Sequence, residues 1–445
     1  MSVLLNEQEA KRLLEKVIRL SKAEACEAFL SGEVRGNIRY ARNEVSTSGS
    51  LTNQNLVVQS SFGKKVGTAT IDEFDDASLE KVVRRAEELA KLAPENPEYI
   101  SPLDAQSYGS SRGHFPSTAG FKAEKRAEAV AKSLAIADQD GLSSAGFLEN
   151  SEGFSAIMNS KGLFAYYPST LVNFSLTVRT ADGTGSGYVI RGYNDVDKLD
   201  TGALTRIAVQ KARGSVGAKA LEPGKYTVIL EPTAAAVLME SLYGNFDARS
   251  ADEGRSAFSL PGGKTRLGEK IVDERVNIYS DPSHPELPAA PYSGDGLPQN
   301  RVNWIEKGVV KNLAYSRYWA QQKGVSPLPY PGNLIMDGGT ETLEEMIKGT
   351  KKGILVTKLW YIRPVDPQTL LMTGLTRDGT FYIEDGKIKH PVKNFRFNES
   401  PIIMLNNLES LGKAERVVST ESDQSYVVPP MKIREFTFSS LSDAV

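Results

Sequence analysis

The strongest constraint on the fold is an order of segments that occurs twice in the first half of the chain. Leu13, Leu14, Val17, Ile18 and Leu20 fall on or near one face of a helix predicted over 7–20. Strand-like stretches follow at 35–42 and 51–61, then a turn through Gly63 and Gly67, a strand at 68–71 and a helix at 77–92. That last helix carries Leu79, Val82, Val83, Ala86 and Leu89 at helical spacing, with Asp75 and Asp76 suited to its start. The order returns as a helix at 121–137, strands at 143–149, 154–166 and 171–180, a Gly-rich turn at 182–187, a strand at 188–191 and a helix at 201–214. Gly63, Gly67 and Asp75 map onto Gly183, Gly187 and Asp195 at a constant offset of 120. Glycines flanking a strand reversal can take positive φ without strain, which gives the spacing a physical use. An internal duplication of helix–hairpin–helix units is therefore expected, with repeats at 1–95 and 120–218 and a Pro/Ser/Gly-rich loop at 94–118 between them.

A second domain is expected over 221–445, after an N-terminal α+β domain at 1–220. Its first strand, 226–230, leads to a helix opened by Pro232 and Thr233 and closed at Gly244. A tract dense in Gly, Pro, Asp and Ser follows over 245–300. Beyond it, short strands at 302–306, 353–359, 369–376 and 379–388 alternate with short helices at 340–349 and 401–411. Asp385-Gly386 between alternating stretches marks a hairpin. The fold class is α+β, with a C-terminal domain rich in antiparallel strands.

Length and charge bound the function. The 445 residues suit two or three domains. The composition, 40% hydrophobic and 24% charged, is that of a soluble globular protein. With Lys+Arg 53 against Asp+Glu 55, the net charge of −2 supplies no global field for nucleic acid or an anionic membrane. The first residues lack the basic start and apolar stretch of a signal peptide, and no segment reaches the ~18 apolar residues of a membrane helix. A cytoplasmic location is expected. The single cysteine, Cys26, excludes an internal disulfide framework and reads as a packed side chain.

Several motifs fail on context. Gly109-Ser110-Ser111-Arg112-Gly113 has the G-x-S-x-G form, but a nucleophile elbow needs a strand before and a helix after, and here both sides read as loop. Gly262-Gly263-Lys264-Thr265 lacks the first glycine of a phosphate loop, since Phe258 stands there. The turn at 182–187 precedes a strand, so its amides gain no helix dipole for phosphate. His114, His284 and His390 are far apart and pair at no helical spacing, so they read as surface or loop histidines.

From 296 onward the residues carry a resemblance. Gly296-Leu-Pro-Gln-Asn-Arg-Val-Asn-Trp-Ile-Glu-Lys-Gly-Val-Val-Lys311, Tyr315-Ser-Arg-Tyr318, Lys323-Gly-Val325, Lys352-Gly-Ile-Leu-Val-Thr-Lys358, Glu384-Asp-Gly-Lys-Ile-Lys-His-Pro-Val392 and Val428-Pro-Pro-Met-Lys-Ile433 together resemble the TldD/PmbA family, often labelled modulator of DNA gyrase. The resemblance implies a metallopeptidase-related C-terminal domain. In the TldD branch its helix looks like H-E-x-x-x-H, where a metal-bound water attacks a peptide carbonyl and the Glu is general base. Laid on the helix after Pro232, the motif puts its Glu on Glu240 and its two histidines on Met239 and Gly244. A thioether and a hydrogen do not replace two imidazoles.

By resemblance, then, the chain belongs with the metal-free PmbA/TldE branch. It would be a non-catalytic subunit with no cofactor of its own, zinc being expected only in a TldD-type partner. Implied partners are that metalloprotease subunit, or a second copy in a self-dimer, and an extended peptide substrate bound along a sheet edge. Thr357-Lys358-Leu359-Trp360 would contribute at a cavity wall, and burial in an ordinary sheet explains the stretch equally well. No membrane or nucleic-acid partner is expected, and the gyrase label gains no support from the charge balance. Two alternatives stay open: a homodimeric peptide-binding or regulatory protein without proteolysis, and a divergent hydrolase built on Glu240.

Overall fold

A computed structural model describes residues 4–442. The first half is one six-stranded sheet assembled from two units of the same order. Unit one is helix α1 (Glu7–Leu20), strands β1 (Ala25–Ala41), β2 (Glu44–Phe62) and β3 (Lys65–Ile71), and helix α2 (Asp76–Leu92). After a single turn, α3 (Pro116–Ala119), unit two is α4 (Ala123–Gln139), β4 (Ser143–Asn159), β5 (Phe164–Arg179), β6 (Ser186–Tyr193) and α5 (Thr201–Gly214). The strand order β3-β2-β1-β4-β5-β6 sets the units back to back about the β1–β4 seam. Their registers match: a shift of 118 residues carries the pair Ala25–Ser61 onto Ser143–Arg179. Each unit is thus a three-stranded meander between two helices, one strand more than a simple hairpin.

The duplicated glycines divide into two roles. Gly63 and Gly183 have φ of 57° and 73°, as a tight reversal needs. Gly67 and Gly187 do something else. A Cβ on Gly67 would lie 2.1 Å from the Ala90 amide nitrogen and 2.3 Å from the Ala86 oxygen, and one on Gly187 would lie 2.1 Å from the Ala208 oxygen. Each lets the closing helix of its unit rest its backbone directly on the strand. The aspartates divide too. Asp75 caps α2 through the amides of Ala77 and Ser78, whereas Asp195 caps only the short turn 196–198 and Asp200 caps α5.

Unit one buries Ala10, Leu14, Val17, Leu30, Leu56, Val82 and Val83 under α1 and α2. Unit two buries Val130, Phe174, Leu176, Val178, Leu204 and Ala208 under α4 and α5. Each buried Leu, Val or Phe side chain among them stabilises by roughly 1.5–3 kcal/mol. Cys26 lies in the first of these cores, 1% exposed, and burial pushes its thiol up to about 11. The predicted break at 150–153 is absent, since β4 runs unbroken for 17 residues. Its polar stretch is satisfied from above: Arg126 donates to Asn150 Oδ1 (2.8 Å), and His114 faces Glu152 (2.9 Å).

In the second half, strand β7 (Gly224–Leu230) runs antiparallel to Met431–Leu441 and parallel to Lys352–Val356 inside a nine-stranded sheet. That sheet is mixed rather than wholly antiparallel, because more than a hundred residues, including helix α6 (Pro232–Tyr243), separate β7 from its parallel neighbour. A six-stranded sheet, containing Glu415–Val418 and Ser425–Val428, packs on the opposite side of α6. The Asp385–Gly386 hairpin forms as predicted, with φ of 48° and 72° at its two central residues. No described helix is long and apolar enough to cross a membrane.

Candidate functional site

Helix α6 is the core of the C-terminal half, and the site lies where it surfaces. Nine of its twelve residues are buried, from Pro232 to Met239 and then Leu242. Pro232 at the first position needs no donor partner there, and an Ala-rich turn lets the two sheets approach. Only Glu240, Ser241 and Tyr243 escape full burial at its C-terminal end, before exposed Gly244.

Glu240 projects into a cavity of about 500 Å³ lined also by Tyr243, residues 331–334 and residues 424–426. Its Oε2 accepts a hydrogen bond from Ser419 Oγ at 2.5 Å. Ser419 is itself fully buried and accepts from the Glu421 amide (3.2 Å). Glu421 in turn accepts from the Tyr361 amide at 2.8 Å, which ties the 419–424 turn to the neighbouring sheet. Tyr243 donates to the Pro331 carbonyl (2.9 Å) and stacks on Tyr330 at 5.8 Å. Burial, and then the charge of Glu240, pushes the Tyr426 phenol up, so it is a neutral donor at neutral pH.

The residues present do not fit a catalytic zinc. Met239 is 0% exposed and sits in the main apolar core, and Gly244 has no side chain. One carboxylate already engaged by a serine, among neutral phenols, is not the His-rich set such an ion takes. Among the described residues, no three of His, Cys, Asp and Glu stand together as a metal site.

The three histidines are not brought together. His114 pairs with Glu152 over the first sheet, His284 lies in a loop 6.4 Å from the Tyr279 ring, and His390 stacks on Tyr382 at the strand Lys387–Pro391. Ser111 has neither strand nor helix beside it. Its hydroxyl donates to the Pro282 carbonyl (2.7 Å), fastening the inter-unit loop to the C-terminal half. Gly262 and Gly263, both at positive φ, lie in the three-residue turn of a short hairpin, and Lys264 is exposed.

The Thr357–Trp360 stretch does reach a cavity. Thr357 lines one of about 600 Å³ between the two halves, together with Tyr188, Leu204, Thr233 and Phe381. Lys358 is buried, 2.9 Å from Asp378 and 3.6 Å from the Tyr188 ring centroid. Ser186 donates to the other oxygen of Asp378. Burial pushes the Lys358 ammonium down, with Asp378 opposing. For Asp378 burial acts against ionisation, but Lys358 and Ser186 outweigh it and hold the carboxyl below its usual range. This cluster joins β6 to the C-terminal half. Sequence reading missed Asp378 and Ser419; Asp378-Gly379 signals a turn, and nothing local marks Ser419.

The comparisons cover the whole of this architecture. Residues 26–90 match the PmbA/TldA metallopeptidase domain 1, residues 121–216 its central domain, and residues 223–440 its C-terminal domain. A metalloprotease of Methanothermobacter thermautotrophicus is 25% identical over 66% of this chain and 68% of its own length. A zinc metalloprotease TldD homolog of Saccharolobus solfataricus is 24% identical over 52% of each, so the chain spans about half of that relative. TldE from Thermococcus kodakarensis has the same fold, with a TM-score of 0.86 at 19% identity over 97% of this chain and 99% of that one. A putative modulator of a DNA gyrase from Thermotoga maritima follows at 0.85 and 17%, over 97% and 100%. With three successive family domains matched along the described residues, the chain belongs to the PmbA/TldD metallopeptidase family.

Proposed function

We propose that this chain is a non-catalytic, TldE-like subunit of a two-subunit metalloprotease that acts on unfolded peptides, shaping the chamber while a TldD-type partner holds the metal. The observation that carries this reading is the end of α6. Where an H-E-x-x-x-H helix needs two imidazoles, Met239 is buried in the core and Gly244 offers nothing, while Glu240 is held by Ser419. That carboxylate has a structural partner in place of a metal-bound water. The 500 Å³ cavity beside it, with carbonyls and phenols at its wall, supports a role in holding peptide backbone.

The test is co-expression with an H-E-x-x-x-H relative from the same genome. A stable complex that hydrolyses an unfolded peptide is expected. Failure of the two chains to co-purify, or full hydrolysis by the relative alone, would sink the reading.

A further inference from the structure

The helix-covered cores of the two units stop short of each other. Along the β1–β4 seam the first core reaches Val34 and Phe154, and the second begins at Ile38 and Leu148. Between them lies a cavity of about 400 Å³, bounded by Gly36, Asn150 and Glu152 of the sheet and by the first turn of α4.

That turn runs against the charge rule for helix starts. The N-terminal end of a helix presents free amides and a positive dipole, and so favours acceptors and acidic side chains. In α1 the cap and third positions are Asn6 and Glu9, each satisfying the other's amide. In the 17-residue α4 they are Lys122 and Lys125, no side chain caps the helix, and Arg126 follows. Arg126 is 5% exposed, and among the described residues no carboxylate pairs with it. Its Nη1 is spent on the Phe121 carbonyl (3.0 Å) and Asn150 Oδ1 (2.8 Å), while its buried Nε has no partner. Gly36 makes room for the guanidinium, since an added Cβ would stand 2.3 Å from Nη1 and 2.5 Å from Nη2. The unused Nε–Nη2 edge is the fork that takes an oxyanion through two parallel hydrogen bonds.

The acidic groups of the cavity narrow the kind of anion. Glu124 and Glu152 line it too, and Glu152 has only its Oε1 engaged, by His114 at 2.9 Å. Glu152 follows Asn150 by two residues on the same face of β4, about 7 Å along the strand. A doubly charged phosphate would be repelled by these carboxylates. A carboxylate that carries its own ammonium a few ångströms away would use one of them. Val34, Ala119 and Phe121 give the cavity an apolar wall as well. We infer that this cavity binds a free α-amino acid with an aliphatic side chain. Its carboxylate sits on the Arg126 fork and the first-turn amides of α4, and its ammonium faces Glu152. The site belongs to the first half alone and does not rest on the reading of Glu240, so its failure leaves that reading standing.

Calorimetric titration of the full chain with L-leucine tests it, beside leucinamide, which lacks the carboxylate, and N-acetylleucine, which lacks the ammonium. Leucine should bind and raise Tm, and each analogue should bind at least tenfold more weakly. Lys122→Asp puts a carboxylate at the exposed cap of α4, and should weaken leucine binding at least tenfold without lowering Tm. Glu152→Gln should weaken leucine about tenfold and leave N-acetylleucine unchanged. No binding of leucine at millimolar concentration, equal binding of N-acetylleucine or leucinamide, or parent-like binding by the Lys122→Asp variant would overturn the inference. So would tighter binding of inorganic phosphate than of leucine, since the cavity would then be a plain anion site.

Discussion

The two units of the first sheet share strand order, register and the glycines under their closing helices, yet they treat their long second strands differently. β5 is sealed where β6 stops, by residues 113–115 of the inter-unit loop, while β2 runs ten residues into solvent with both faces bare. The helices that open the units differ as well. α1 begins with a capping box in which Asn6 and Glu9 satisfy each other's amides, whereas α4 begins at Lys122 with no side-chain cap. At the fourth helical position, α1 has buried Ala10 and α4 has buried Arg126, whose Nη1 donates to the Phe121 carbonyl and to Asn150. What the units hold in common is thus the backbone-level geometry of strand on helix. What differs is where each unit meets the rest of the chain: unit two is built to be covered and unit one to be left open.

The shared geometry gives the largest predicted effect. Gly67→Val and Gly187→Val each drive a side chain into helix backbone, and each should cost about 3 kcal/mol or more in urea unfolding. Tolerance of one and not the other would break the equivalence of the units. Next comes the sealed edge. Thr170→Val strips the Phe115 amide of its acceptor in a buried place and should cost about 1–3 kcal/mol, whereas the equivalent Thr52→Val should stay within about 0.5 kcal/mol. Equal costs would show that β2 is covered in solution by something else. The smallest effect concerns the helix starts. Asn6→Ala removes the capping box and should cost about 1 kcal/mol, while Lys122→Asp supplies a cap that α4 lacks and should raise stability by about 0.5 kcal/mol. Thermal unfolding of the two variants side by side measures the contrast.

Local pattern carried much of the fold. The helix at 201–214 and the hairpin about Asp385-Gly386 were legible because periodicity, caps and turn residues agree there. The constant offset between glycine pairs pointed to the repeated order, although Gly67 and Gly187 serve helix contact rather than strand reversal. β4 was broken in the reading because Asn-Ser-Glu-Gly at 150–153 looks like a turn. Its polar groups are taken up by Arg126 and His114, which the strand pattern does not contain. The site was legible only in part. The family motif points to Glu240, Met239 and Gly244, and helix periodicity is consistent with Met239 facing the core. Ser419 stands 179 residues from Glu240, and the Lys358–Asp378 pair joins two connections between strands that the sheet brings together, so no spacing along the chain announces either contact.

The central claim is that Glu240 holds structure here while a partner performs the chemistry. Glu240→Gln keeps an oxygen that can accept from Ser419 and removes the carboxylate a general base needs. The direct test is peptide turnover by the complex of this variant with an H-E-x-x-x-H partner. The account predicts a rate within about twofold of the parent complex, and a fall of a hundredfold or more, the scale of a lost general base, would contradict it.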